Sequence, residues 1–204
     1  MSSPETNGPQ ANGPAVGGAN AETGPEAAPG RILVAGIGNI FLGDDGFGVE
    51  TARRLREETM PPGVEVQDTG VRGVHLAYQL LDGWAGLVLV DAVPGDDPPG
   101  TLRVIEPGPD PAGGPVAVVD GHRMTPDAVL GLLDTLAEGT GEAGPRRVLV
   151  VGCVPETVEE GMGLSRPVAA AVPEAVLLVR ELVDDLAAGL LPHPEAGAAA
   201  GGPS

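Results

Sequence analysis

The chain of 204 residues contains no lysine, so its 11 basic residues are all arginine, set against 29 acidic residues for a formal net charge of −18. Phosphate binding needs a cationic face, and the arginines cluster only at Arg53, Arg54 and Arg56. That excludes nucleic acid and favours a neutral or basic partner. A single cysteine, Cys153, rules out an internal disulfide and any cysteine-based zinc cluster, which fits a reducing compartment. No apolar run approaches the roughly 20 residues that span a bilayer, and the first thirty residues lack a basic and then apolar signal-peptide pattern. The expectation is a cytoplasmic protein, off the membrane and monomeric.

What the chain has in quantity is glycine and proline, 33 and 22 residues. Residues 1–30 are dominated by Gly, Pro, Ala, Asn and Glu, and from Pro192 onward the tail reads "PHPEAGAAAGGPS". Neither buries enough apolar surface to offset the entropy of ordering, so both are expected to be disordered, leaving one domain over residues 31–191. Within it, "RILVAGIGN" reads as a buried parallel strand, and Val49, Ala52 and Leu55 stand at helical spacing over 45–58. "VEVQDTG", "GLVLVDAV", "GTLRVIEP" at an edge, and "RRVLVVGCVP" read as further strands. The stretches 73–84, 125–138 and 166–190 read as helices. This alternation predicts an α/β sandwich with a mostly parallel sheet, whose ligands bind outside the carboxyl ends of the strands.

Asp44, Asp45 and Asp91 all fall at such ends. The first two belong to "GIGNIFLGDDGFG", residues 36–48, which is not a dinucleotide fingerprint: the sixth position from Gly36 is Phe41, and no lysine follows to make a phosphate loop. Asp44 is expected either to cap the helix or to support the site from behind Asp45. Asp91 closes the most apolar strand, where a carboxylate is costly unless hydrogen bonded, paired or bound to a cation. Of the histidines, His193 lies in the tail and His75 within a short helix, whereas His122 sits in "VVDGHRMTP", just before a helix with Thr125 as cap and Pro126 at its first position. Asp, Asp and His together suit nickel or zinc better than magnesium or calcium. Cys153, within a strand, reads as a small packed hydrophobe.

The stretch "RILVAGIGNIFLGDDGFGVE" resembles the opening of the hydrogenase maturation endopeptidases, which mature the large subunit of nickel-iron hydrogenases. The similarity continues through "DTGVRGVHLAYQLLDGW", "GLVLVDAV", "PGTL", "DGHRMTP" and "VGCVPETVEEGMGLSRPVAAAVPEAV". The resemblance implies a three-layer α/β/α fold with a twisted five-stranded sheet and a cleft at its strand ends. It implies a metal-contacting, catalytic set of Asp45, Asp91 and His122, with Pro155 and Glu156 shaping the cleft wall. It also implies one cut, which releases a short C-terminal peptide from the large-subunit precursor after nickel loading. The nickel would be supplied by the precursor and read as a recognition element. A non-catalytic nickel sensor or assembly scaffold using the same three residues is the alternative.

Overall fold

The computed structural model describes residues 30–107 and 125–189. The expectations for the first thirty residues, for the tail and for the loop carrying His122 therefore lie outside the described residues, apart from Gly30. The described chain runs β1 (Ile32–Ile37), a 3-10 turn (Gly43–Gly46), α1 (Phe47–Leu55), β2 (Val64–Gly70), α2 (Gly73–Gln79), β3 (Gly86–Ala92), β4 (Leu102–Ile105), α3 (Pro126–Thr140), β5 (Arg147–Cys153) and α4 (Arg166–Ala188). Every strand and helix expected from the pattern is present; the turn before α1 is an addition.

The five strands lie in the order β2-β1-β3-β5-β4. β1 pairs in parallel with β2 and β3, and β3 with β5, while β4 runs antiparallel along β5 at one edge. Successive side chains of a strand point to opposite faces, and in β1 and β3 both faces are buried. Ile32, Val34, Val88 and Val90 pack with Phe47 and Leu55 of α1 and with Val168, Val172, Ala175, Val176, Val179 and Val183 of α4. Leu33, Ala35, Ile37, Leu87 and Leu89 pack with Leu76 of α2 and with Val129 and Leu133 of α3. The result is a three-layer α/β/α sandwich, and it explains why these strands read as unbroken apolar runs rather than as alternating ones.

Two glycines set how closely α1 lies on the sheet. A Cβ at Gly36 would sit 2.1 Å from the Gly48 carbonyl oxygen, and one at Gly48 would sit 2.0 Å from that of Val90. Gly48 thus supplies the close helix-to-strand contact that Phe41, at the sixth motif position, could not. β1 leads to β2 on one side, whereas β3 leads on toward β5 and β4 on the other. The crevice of such a sheet opens where the order reverses, between the C-terminal ends of β1 and β3.

Candidate active site

Asp45 follows β1 and Asp91 ends β3, so the two acids flank that reversal point. Both line one cavity of about 410 Å³, shared with Ala92, Pro94, Thr125 and the loop Pro155–Glu159. Asp91 shares strand parity with Leu87 and Leu89, which places it on the face covered by α2 and α3. Thr125 caps α3 as expected, its Oγ1 accepting from the Ala128 amide at 3.3 Å, with Pro126 in the first position. His122 lies outside the described residues, three positions before this cavity-lining threonine. The wall role expected for Pro155 and Glu156 matches their place in the lining, while nothing in the sequence pattern signals the lining by Thr125, Thr157 and Glu159.

The two acids are held differently. Asp45 is half-buried, and its Oδ2 accepts from the Asn39 amide at 2.6 Å, while Asn39 Oδ1 accepts from the Phe41 amide at 3.0 Å. Asp91 is 3% exposed, and its Oδ1 has no hydrogen-bond partner among the described residues. Burial, and then the nearby charge of Asp45, push its carboxyl well above the ordinary value of 3.8, with the Ala92 amide opposing the shift. Gly38 makes the crowding possible. Its φ is +123°, and a Cβ there would lie 1.8 Å from the Asp45 carbonyl oxygen and 3.5 Å from Asp91 Oδ1, so the chain passes the acids where side chains cannot fit.

Asp44 corrects the cap expected from its position. No side chain caps α1 or the 3-10 turn. Asp44 is instead fully buried, with Oδ2 accepting from the amides of Glu156 (2.8 Å) and Thr157 (3.1 Å) and Oδ1 from that of Ser165 (2.6 Å). Burial alone would raise its carboxyl, but the backbone N–H groups of Ser165, Thr157 and Glu156 outweigh it and hold it below 3.8. Nothing in the sequence marks those amides as partners, because they are more than a hundred residues away. An irregular stretch such as "PETVEEGMG", with many amides and no helical or strand pattern, was the available signal.

Other groups stand apart. Cys153 is buried, and burial followed by the charge of Asp44 pushes its thiol up to about 11. His75 is exposed and lines a larger cavity of about 480 Å³ beside β2 with Arg56, Asp68 and Arg72, which holds neither Asp45 nor Asp91. Among the described residues no three His, Cys, Asp or Glu side chains are grouped to hold a metal ion, and no helix is long and apolar enough to cross a membrane.

A buried acid with one oxygen unpartnered among the described residues, next to a second acid in a crevice at the strand ends, marks this cavity as the candidate site. The comparisons identify the family. Its model, described as hydrogenase maturation protease, matches residues 49–181. The hydrogenase expression/formation protein HoxM of Cupriavidus necator is 34% identical over 147 residues, covering 71% of this chain and 70% of that protein. The hydrogenase 2 maturation protease of Escherichia coli is 32% identical over 150 residues, 72% of this chain and 86% of that one. Among solved structures, the hydrogenase maturating endopeptidase HybD from Escherichia coli aligns with a TM-score of 0.60 at 30% identity, covering 76% of this chain and 93% of that one. A hydrogenase 2 maturation peptidase from a Thaumarchaeota archaeon gives 0.57 at 31%, with 76% and 98% covered. The chain belongs to the hydrogenase maturation protease family and is an endopeptidase.

Proposed function

We propose that this chain acts in the cytoplasm to remove the C-terminal peptide from the nickel-loaded precursor of a nickel-iron hydrogenase large subunit, with Asp45, Asp91 and His122 meeting the metal that the precursor carries. The observation that carries this reading is Asp91 Oδ1, a buried acceptor without a partner among the described residues, in the cavity it shares with Asp45. Two carboxylates forced together repel, and the proton on one of them is the cheapest relief when no cation is present. A divalent cation arriving with the substrate supplies the missing positive charge. Carboxylate oxygen and imidazole nitrogen form a donor set suited to nickel.

The metal is part of the substrate in this account, and the chain's own residues do the reading. Asn39 fixes the direction of Asp45 through its amide, and burial in β3 fixes Asp91. His122 would complete the set from the segment before α3. A precursor without nickel brings no cation to the acid pair and forfeits that contact, so loading licenses cleavage. The test is incubation of the purified chain with loaded and unloaded precursor, followed by mass measurement of the large subunit. A shortened product from the loaded form alone supports the reading. Equal cleavage of both forms overturns the metal requirement, and intact loaded precursor held in a stable complex identifies a binder instead.

A further inference from the structure

The loop between β5 and α4 forms one wall of the cavity, yet residues 155–164 contain no helix or strand element. Val154, at the start of the loop, bonds to Gly100 and Thr101, and among the described residues the hydrogen bonds that tie residues 155–164 to the rest of the fold run to residues 41–44. The Gly43 amide donates to the Gly161 carbonyl at 3.0 Å, the Asp44 amide to that of Thr157 at 3.0 Å, and the Gly161 amide to that of Phe41 at 2.9 Å. The other bonds converge on the Asp44 carboxylate, from Glu156 and Thr157 in the loop and from Ser165 at the start of α4. Asp44 is also the chain neighbour of Asp45, on the opposite wall. One buried side chain therefore joins the wall that bears the acid to the wall that faces it.

We propose that Asp44 is a positioning residue that fixes the width of the substrate cleft, holding Glu156–Glu159 at a set distance from Asp45 without touching substrate. This rests on the reading of the cavity as the peptide cleft. A wall that drifts outward loses contacts to the bound peptide, whereas the acid pair keeps its own placement from β3 and Asn39. Loss of the clamp therefore weakens capture more than turnover.

Asp44→Ala and Asp44→Asn separate this role from a general structural one. In Asp44→Ala all three amides lose their acceptor; KM for the nickel-loaded precursor should rise about tenfold or more, and kcat should fall by no more than about threefold. In Asp44→Asn the remaining carbonyl oxygen can still accept from Glu156 and Thr157 while the amide NH2 opposes Ser165, so KM should stay within about threefold of wild type although the protein melts earlier. A merely structural role lowers the active fraction, so kcat falls and KM is unchanged in both variants; that result overturns the proposal. Amide hydrogen exchange on the wild-type chain tests the clamp even if Asp44→Ala does not fold. The Glu156 and Thr157 amides should exchange about a hundredfold or more slowly than that of Val158 in the same loop, and equal rates refute the clamp. Failure of the wild-type chain to cut loaded precursor would sink the protease reading of the cavity, whereas normal cutting with an unmoved KM would sink only the role of Asp44.

Discussion

Asp44 and Asp91 are both buried carboxylates at the same end of the same sheet, 0% and 3% exposed, yet the fold treats them in opposite ways. Asp44 receives N–H donors at both oxygens, and its carboxyl is held below the ordinary value. Asp91 has an oxygen with no donor among the described residues and a charged neighbour, and its carboxyl is held well above it. Burial is therefore a poor guide to what an acid does, and the number of donors around it is a better one. A saturated carboxylate builds the loop, and in the function proposed above the unsaturated one is left for the metal of the substrate.

The largest expected effect is on catalysis. If His122 meets the metal as proposed, His122→Ala should lower processing of loaded precursor by about a hundredfold or more, with an unchanged circular dichroism spectrum, because losing one ligand costs the metal contact more than the core. Wild-type processing by this variant would remove His122 from the site. Next comes Asp44→Ala, which takes the buried acceptor from three part-buried amides and should lower unfolding free energy by about 3 kcal/mol in urea titration. A loss below about 0.5 kcal/mol would show that water replaces the carboxylate at little cost.

The two acids should also respond oppositely to pH. The folded-state value of Asp44 lies below its unfolded value, so its contribution is fully present above about pH 4 and is lost as pH falls through the lowered value. Asp91 has the reverse sign. Its folded value is raised, so stability drops as pH climbs from about 4 through that raised value, and the neutral replacement Asp91→Asn should melt higher than wild type near pH 8, with the gap closing in acid. A gap that widens in acid would mean that Asp91 is stabilised as a carboxylate. The smallest effect concerns Cys153. With its thiol pushed up to about 11 and buried, it should resist a thiol-reactive disulfide reagent at pH 8 in the native state and react fully after unfolding. Rapid native labelling would show that β5 opens readily.

Much of this is legible in the sequence, for identifiable reasons. Strands β1 and β3 announce themselves because both faces are buried, which leaves no polar residue to interrupt the run before Asp91. Thr125-Pro126 marks the start of α3 because capping is local. Asp45 and Asp91 can be paired because strand ends in a parallel sheet converge on one crevice. Of the two readings of Asp44, the cap fails, and the supporting one could not name its partners, because the amides of Glu156, Thr157 and Ser165 are backbone groups that no residue type advertises. The glycine motif is similarly opaque. That Gly36 and Gly48 serve helix packing, while Gly38 makes room beside the acids, depends on which backbone lies opposite each one.

The most direct test of the central claim is the mass of the large-subunit precursor, nickel-loaded, after incubation with Asp91→Asn. If Asp91 is the acid kept free for the metal, the precursor stays full length although the variant is folded and melts no lower than wild type near neutral pH. Shortening at the wild-type rate would contradict the account, because the unsatisfied oxygen at the end of β3 would then have no part in the reaction.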